Sequence, residues 1–154
     1  EALLEKFPKT IAGIKDSSGD WNNTQQMLDE KWDDFGIFAG SESFLLETMQ
    51  QGGAGCISAT ANVNPRNIYN VYKNWQKPNA SYMQEEIDMV RSIVQKYPLI
   101  PALKSIVSHF RKDSEWNILR PPLKELHPDE SKKLIAELEA INFKIDHSSS
   151  DISL

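Results

Sequence analysis

The chain is predicted to adopt an α/β fold, with a parallel sheet in its first part and a small all-helical part after it. Three observations carry that expectation. Short apolar runs bounded by glycine, at 10–15 (TIAGIK), 36–40 (GIFAG) and 54–59 (AGCISA), have the length and composition of strands buried on both faces. Helix-like segments alternate with them, over roughly 20–31 and 42–52 and again after residue 65, so parallel strands joined by crossover helices follow. Beyond about residue 78 only the helical rhythm of apolar residues persists.

Taken in order, "EALLEKFPKT" reads as the tail of a helix already under way. The first strand follows and ends on Lys15, ahead of the small-residue turn "DSSGD". Asp20 and Ser41 each stand where a side-chain oxygen can cap the first turn of a helix. After the third strand, Ile68, Val71, Tyr72 and Trp75 keep i, i+3, i+4, i+7 spacing, with Pro65 near the helix start. Met83, Ile87, Val90, Val94 and Tyr97 form one amphipathic stripe, and Leu103, Ile106, Val107 and Phe110 form another after Pro101. The two prolines of "RPPLKEL" (120–126) predict an extended linker. Pro128, Asp129 and Glu130 then open a last helix carrying Leu134, Ile135 and Leu138. The polar end "DHSSSDISL" is expected to be disordered. The expected division is 1–77 for three βα units, 78–141 for a helical extension and 142–154 for a tail. Three parallel strands leave two unpaired edges, so the pattern reads as one end of something larger. A first residue that is Glu1 rather than methionine fits the same expectation.

Composition bounds the function. A chain of 154 residues can bury a core, and 40% hydrophobic with 25% charged residues is ordinary for a soluble protein. The net charge of -5 comes with no basic cluster, which argues against a nucleic-acid partner. No apolar run approaches the roughly 20 residues that span a membrane, and no signal peptide is recognisable at the start. The single cysteine, Cys56, excludes an internal disulfide and suggests a reducing, cytoplasmic location. Histidines and acids lack metal-ligand spacing, so neither a metal nor another cofactor is expected. His109 and His127 read as surface or capping residues, His147 as part of the tail, and Cys56 as a small hydrophobe. The Met83-to-Tyr97 stripe reads as core, with subunit contact as a second reading.

In α/β architectures ligands gather at the carboxyl ends of the strands. Here that end collects "KDSSGD", "AGSES" and "SATANVNP", all small and polar. Lysine is among the residues least often buried, and one lysine before a turn is usually solvated. Desolvated in a shared pocket, however, Lys15 would offer a neutral amine, and an amine attacks a ketone to give a Schiff base that acts as an electron sink. Asp16 should point to the opposite side and brace the turn. Gly40 is expected to let a ligand approach the backbone, and Ser41 and Glu42 to offer free N–H groups to an anion.

"GIKDSSGDW", "FAGSESFLLETMQQGGAGCISATANVNP", "IPALKSIVSHF" and "RPPLKEL", in that order and spacing, resemble the dihydrodipicolinate synthase/N-acetylneuraminate lyase family over about residues 1–141. The resemblance implies a class I, pyruvate-dependent lyase on a (β/α)8 TIM barrel with a C-terminal helical extension, the three strands being barrel strands six to eight. It implies Lys15, in a GxK motif, as the Schiff-base lysine. It also implies Gly40 as a pocket-lining glycine, Ile57 as the residue packed on bound pyruvate, and Ser41, Glu42 and Ser43 as contacts to the second substrate. Ser58 and Asn62 lie near the same mouth. The partners implied are pyruvate or another 2-keto acid and an aldehyde, and the parent is expected to be a homo-oligomer, dimer or tetramer.

Departures are equally informative. The family's carboxylate-binding Thr-Thr pair is absent, and Tyr69, Tyr72, Tyr82 and Tyr97 all follow the lysine on helices, so none matches the family's proton-shuttling tyrosine. Strands one to five are therefore expected to be missing, and the chain alone to have little or no turnover. "KDSSGD" fits sialic-acid lyases poorly, and only Glu42 survives of the synthases' acidic pair, so the second substrate stays open. Two other readings compete: a phosphate-binding barrel portion built on "AGSES", against which the lack of a nearby Arg or second Lys counts, and a non-enzymatic assembly fragment pairing through its sheet edges.

Overall fold

A computed structural model describes residues 2–145. After a short helix α1 (Ala2–Lys6), three parallel strands, β1 (Gly13–Asp16), β2 (Gly36–Ala39) and β3 (Gly55–Cys56), form a sheet in sequential order. Gly13 pairs with Gly36, Lys15 with Phe38, and Phe38 with Gly55. A Cβ on Gly13 would lie 2.5 Å from the Gly36 carbonyl oxygen, so the glycine before the lysine is demanded by strand packing.

Between the strands run α2 (Trp21–Asp29) and α3 (Leu45–Gln50), and α4 (Pro65–Asn74) follows β3. Asp20 caps α2 by accepting the Asn22 N–H at 3.0 Å. The expected helix 42–52 is instead a 3₁₀ turn, Glu42–Phe44, leading into α3. The third strand is also shorter than the run 54–59, because Ala59–Asn62 forms a second 3₁₀ turn.

The helical part comprises α5 (Ala80–Val94), α6 (Leu99–Arg111), a 3₁₀ turn at Ser114–Asn117 and α7 (Pro128–Ala140). α6 starts two residues before Pro101, which a first helical turn tolerates. His127 caps α7, its Nδ1 accepting the Asp129 N–H while Glu130 reaches back to the His127 N–H. Leu45, Leu46, Ile68, Val71, Ala80 and Ile87 form one buried cluster, and Val90, Val94, Ile106, Leu134 and Leu138 belong to another. Each Leu, Ile or Val side chain among them contributes about 1.5–3 kcal/mol when fully buried. α5 supplies residues to both clusters, and Val63 from the turn after β3 also lies in the second, so sheet and helical part are packed together.

Two expectations need correction. β1 is not buried on both faces: Ile14 is 40% exposed and Lys15 is exposed, because β1 is an edge strand. Nor does the tail start at 142, since Phe143 is buried in the second cluster, its ring 5.7 Å from that of Phe110, and Ile145 packs beside it. The remainder of the expected tail, 146–154, lies outside the described residues.

Candidate active site at the strand ends

Lys15 and Asp16 are neighbours in β1, and the pleat sends them to opposite faces. Asp16 is buried and accepts hydrogen bonds from Thr24 Oγ1 at 2.6 Å, the Ser18 N–H at 2.9 Å and Ser18 Oγ at 3.0 Å, among others. Burial pushes this carboxyl up, but the Thr24, Ser18 and Asn23 hydrogen bonds together outweigh it and hold Asp16 below its ordinary value. The aspartate thus locks the "DSSGD" turn onto α2. It leaves Lys15 without a carboxylate partner from its own strand end.

Lys15 lies on the open face, opposite Phe38 in register, and its Nζ donates to Ser17 Oγ at 2.7 Å. Ile57 continues the ladder, its N–H donating to the Ala39 carbonyl at 2.9 Å, and alternation turns it to the Lys15 face, where it is 52% exposed. One face of the sheet therefore presents an amine and two apolar side chains, Phe38 and Ile57.

Gly40 ends β2. A Cβ there would lie 2.2 Å from the Asp16 carbonyl oxygen, so the β1 backbone by itself demands glycine at this position.

The loop that follows is tied down. Ser41 Oγ accepts the Ser43 N–H at 3.2 Å, the Ser41 carbonyl accepts the Phe44 N–H, and the Glu42 carbonyl accepts the Leu45 N–H. The Leu46 N–H donates to Gln84 Oε1 at 3.1 Å. The Ser43, Phe44, Leu45 and Leu46 N–H groups of this turn are thus already used within the fold. Glu42, expected at the substrate-facing rim, is fully buried. Its Oε2 accepts from Arg91 Nη1 at 3.0 Å and from Ser58 Oγ. Its Oε1 has no hydrogen-bond partner among the described residues. A nearby arginine therefore does exist, but it is committed to Glu42. Cys56 lies in the same region, and burial, with Glu42 adding to it, pushes its thiol up to about 11.

α5 supplies further contacts. Gln84 Nε2 donates to the Glu42 carbonyl at 3.0 Å and to Asp88 Oδ1 at 3.1 Å. Burial raises the Asp88 carboxyl; hydrogen bonds from Ser43 and Gln84 oppose that, while Glu42 and Glu85 add to it. Sequence reasoning missed Gln84, Asp88 and Arg91. A signal was present, because 84, 88 and 91 have i, i+4, i+7 spacing and form a polar row beside the apolar stripe. Phe38 was missed too, although it follows from pairing "GIFAG" with "GIK".

Among the described residues no group of three or more His, Cys, Asp or Glu is arranged to hold a metal, and no helix is long and apolar enough to cross a membrane.

Parallel strands alternating with helices, followed by a helical part, define a class that comparison with solved structures makes specific: a partial TIM-barrel protein. Dihydrodipicolinate synthase from Agrobacterium tumefaciens superposes with a TM-score of 0.76 at 28% identity, over 91% of this chain and 46% of that one. A prophage protein of the dihydrodipicolinic acid synthase family from E. coli K12, in complex with pyruvate, has the same fold, with a TM-score of 0.80 at 22% identity over 92% of this chain and 49% of that one.

The Dihydrodipicolinate synthetase family model matches residues 2–141, and the chain belongs to that family. The 4-hydroxy-tetrahydrodipicolinate synthase of Methanopyrus kandleri is 31% identical over 143 residues, covering 90% of this chain and 46% of the relative. The chain spans about half the length of the curated relatives it matches.

Proposed function

We propose that this chain carries the nucleophile half of a Schiff-base lyase active site. Its strands correspond to barrel strands six, seven and eight, with residues 78–141 as the C-terminal helical extension. One observation carries the reading: Lys15 stands at a strand's carboxyl end, on the same face as Phe38 and Ile57, while Asp16 is turned away and consumed by its own turn. Family membership and a pyruvate-bound relative of the same fold support it.

In this mechanism the neutral Lys15 amine adds to the keto carbon of pyruvate or a related 2-keto acid, and water leaves to give an iminium. Loss of a proton from the adjacent carbon gives an enamine, which attacks an aldehyde; hydrolysis then releases product and regenerates the lysine. Run backwards, the same steps cleave a carbon–carbon bond. Ile57 and Phe38 form the apolar wall beside the keto acid. Gly40 holds the end of β2 against β1. Ser41 and Ser43 sit on the rim toward the aldehyde, and Glu42 acts from beneath as their anchor. No cofactor is needed, since the lysine is itself the electron sink.

None of Tyr69, Tyr72, Tyr82 and Tyr97 lies at the strand ends; they sit on α4, on α5 and just past α5. A positioned proton-transfer group contributes about 10²–10⁴-fold, so the chain by itself is expected to show little or no turnover. The test is pyruvate–aldehyde turnover in the natural full-length protein, wild type against Lys15→Arg. Loss of turnover by about 10³-fold or more is expected from removing the nucleophile. A Lys15→Arg protein that keeps more than about a tenth of wild-type turnover would sink the assignment.

A further inference from the structure

The fully buried Glu42 carboxylate joins three segments that are far apart in sequence. It belongs to the turn after β2, takes a hydrogen bond from Ser58 after β3, and pairs with Arg91 on α5, 49 residues away. Arg91 Nη1 also lies 3.3 Å from Ser58 Oγ and 3.4 Å from Thr60 Oγ1, so one guanidinium reaches both strand-end turns. Two turns earlier on α5, Gln84 clamps the same turn twice, through the Glu42 carbonyl and the Leu46 N–H. Glu42 Oε1 lacks a partner among the described residues, so the carboxylate is held through Oε2 alone. A buried charge held that way is costly once its countercharge is removed.

We propose that Arg91 is the positioning residue of the active-site rim. The helical extension, through Arg91 and Glu42, fixes the turn carrying Ser41 and Ser43 in register with the turn carrying Ser58, and so sets the subsite for the aldehyde partner. The subsite part of this inference rests on the Schiff-base reading above; the positioning part stands on geometry alone.

The test has two arms. Amide hydrogen exchange is followed over residues 43–46 in wild type, Arg91→Met and Arg91→Lys, with amides of α6 and α7 as the reference for global stability. Arg91→Met is expected to speed exchange at 43–46 by about tenfold or more with the α6 and α7 amides unchanged, and Arg91→Lys to restore most of the protection. In the natural full-length protein, with pyruvate and glyceraldehyde as probes, Arg91→Met is expected to raise the KM for glyceraldehyde about tenfold while borohydride trapping of pyruvate stays at the wild-type rate.

Unchanged exchange at 43–46, equal behaviour of the Met and Lys variants, or a parallel rise throughout α6 and α7 would each overturn the positioning role. A glyceraldehyde KM that does not move would overturn the link to the subsite. Failure of wild type to trap pyruvate at Lys15 would instead overturn the Schiff-base reading, leaving the exchange arm to decide the role of Arg91. If Arg91→Met does not fold, Glu42→Gln, which keeps the shape and loses the charge, is expected to speed exchange at the same amides; wild-type protection there would overturn the proposal.

Discussion

Asp16 and Lys15 differ in what the fold does with them, although they are adjacent. The aspartate is enclosed by donors, so its folded carboxyl titrates below the ordinary 3.8. A group lowered in this way contributes stability that is fully present above the unfolded value and is lost as pH falls through the lower folded value. Urea midpoints measured from pH 6 downward should therefore drop as pH passes below about 4, and Asp16→Asn should flatten that limb. A second residue-scale expectation concerns Gly40. Alanine there meets the Asp16 carbonyl oxygen at 2.2 Å, which only backbone movement can relieve. Gly40→Ala should cost about 1–3 kcal/mol, read as a lowered urea midpoint with unchanged slope. A third concerns Cys56: with its thiol near 11, only about one molecule in a thousand is thiolate at pH 8. Alkylation in the folded state should therefore be slow and should accelerate sharply on unfolding.

The sequence made some of these residues readable for local reasons. A small-residue turn after a strand-terminal lysine, and an aspartate placed to cap α2, act over two to eight positions, within reach of motif reading. The role of Glu42 was not readable. Its partner lies on another element, and nothing in "AGSES" distinguishes a rim carboxylate from a buried one. Gly40 was singled out as a position where something approaches the backbone closely, and the Asp16 carbonyl of β1 crowds it.

Among the elements, α5 links the two buried clusters. Its apolar row faces both of them and its polar row holds the turn after β2. The longer helices were legible from periodicity and caps, because each buries one stripe. The 3₁₀ breaks at Glu42–Phe44 and Ala59–Asn62 were not, since they arise where Ser41 and Ser58 lead out of strands and the chain must turn tightly over the sheet. Ile106 is fully buried where α6 meets the second cluster. Ile106→Ala should cost about 2–5 kcal/mol, and denaturant unfolding would show whether the sheet and helical part melt together. One shared transition is expected because α5 belongs to both clusters; two transitions would contradict that.

At the scale of the whole molecule, the outer edges of β1 and β3 are both unpaired among the described residues, and Ile14 on β1 and Ile57 just past β3 are exposed beside them. An open edge beside apolar side chains promotes pairing with other chains. Sedimentation of this chain across a concentration series should therefore show association, and a strictly monomeric species would count against that reading of the edge.

The central claim is that Lys15 forms a Schiff base, and its most direct test is chemical. The natural full-length protein is incubated with pyruvate, reduced with borohydride, digested and mapped by mass spectrometry. The account predicts one reduced pyruvate adduct, on the peptide containing Lys15, abolished by Lys15→Arg. An unmodified Lys15, or adducts spread over the surface lysines according to exposure, would contradict it.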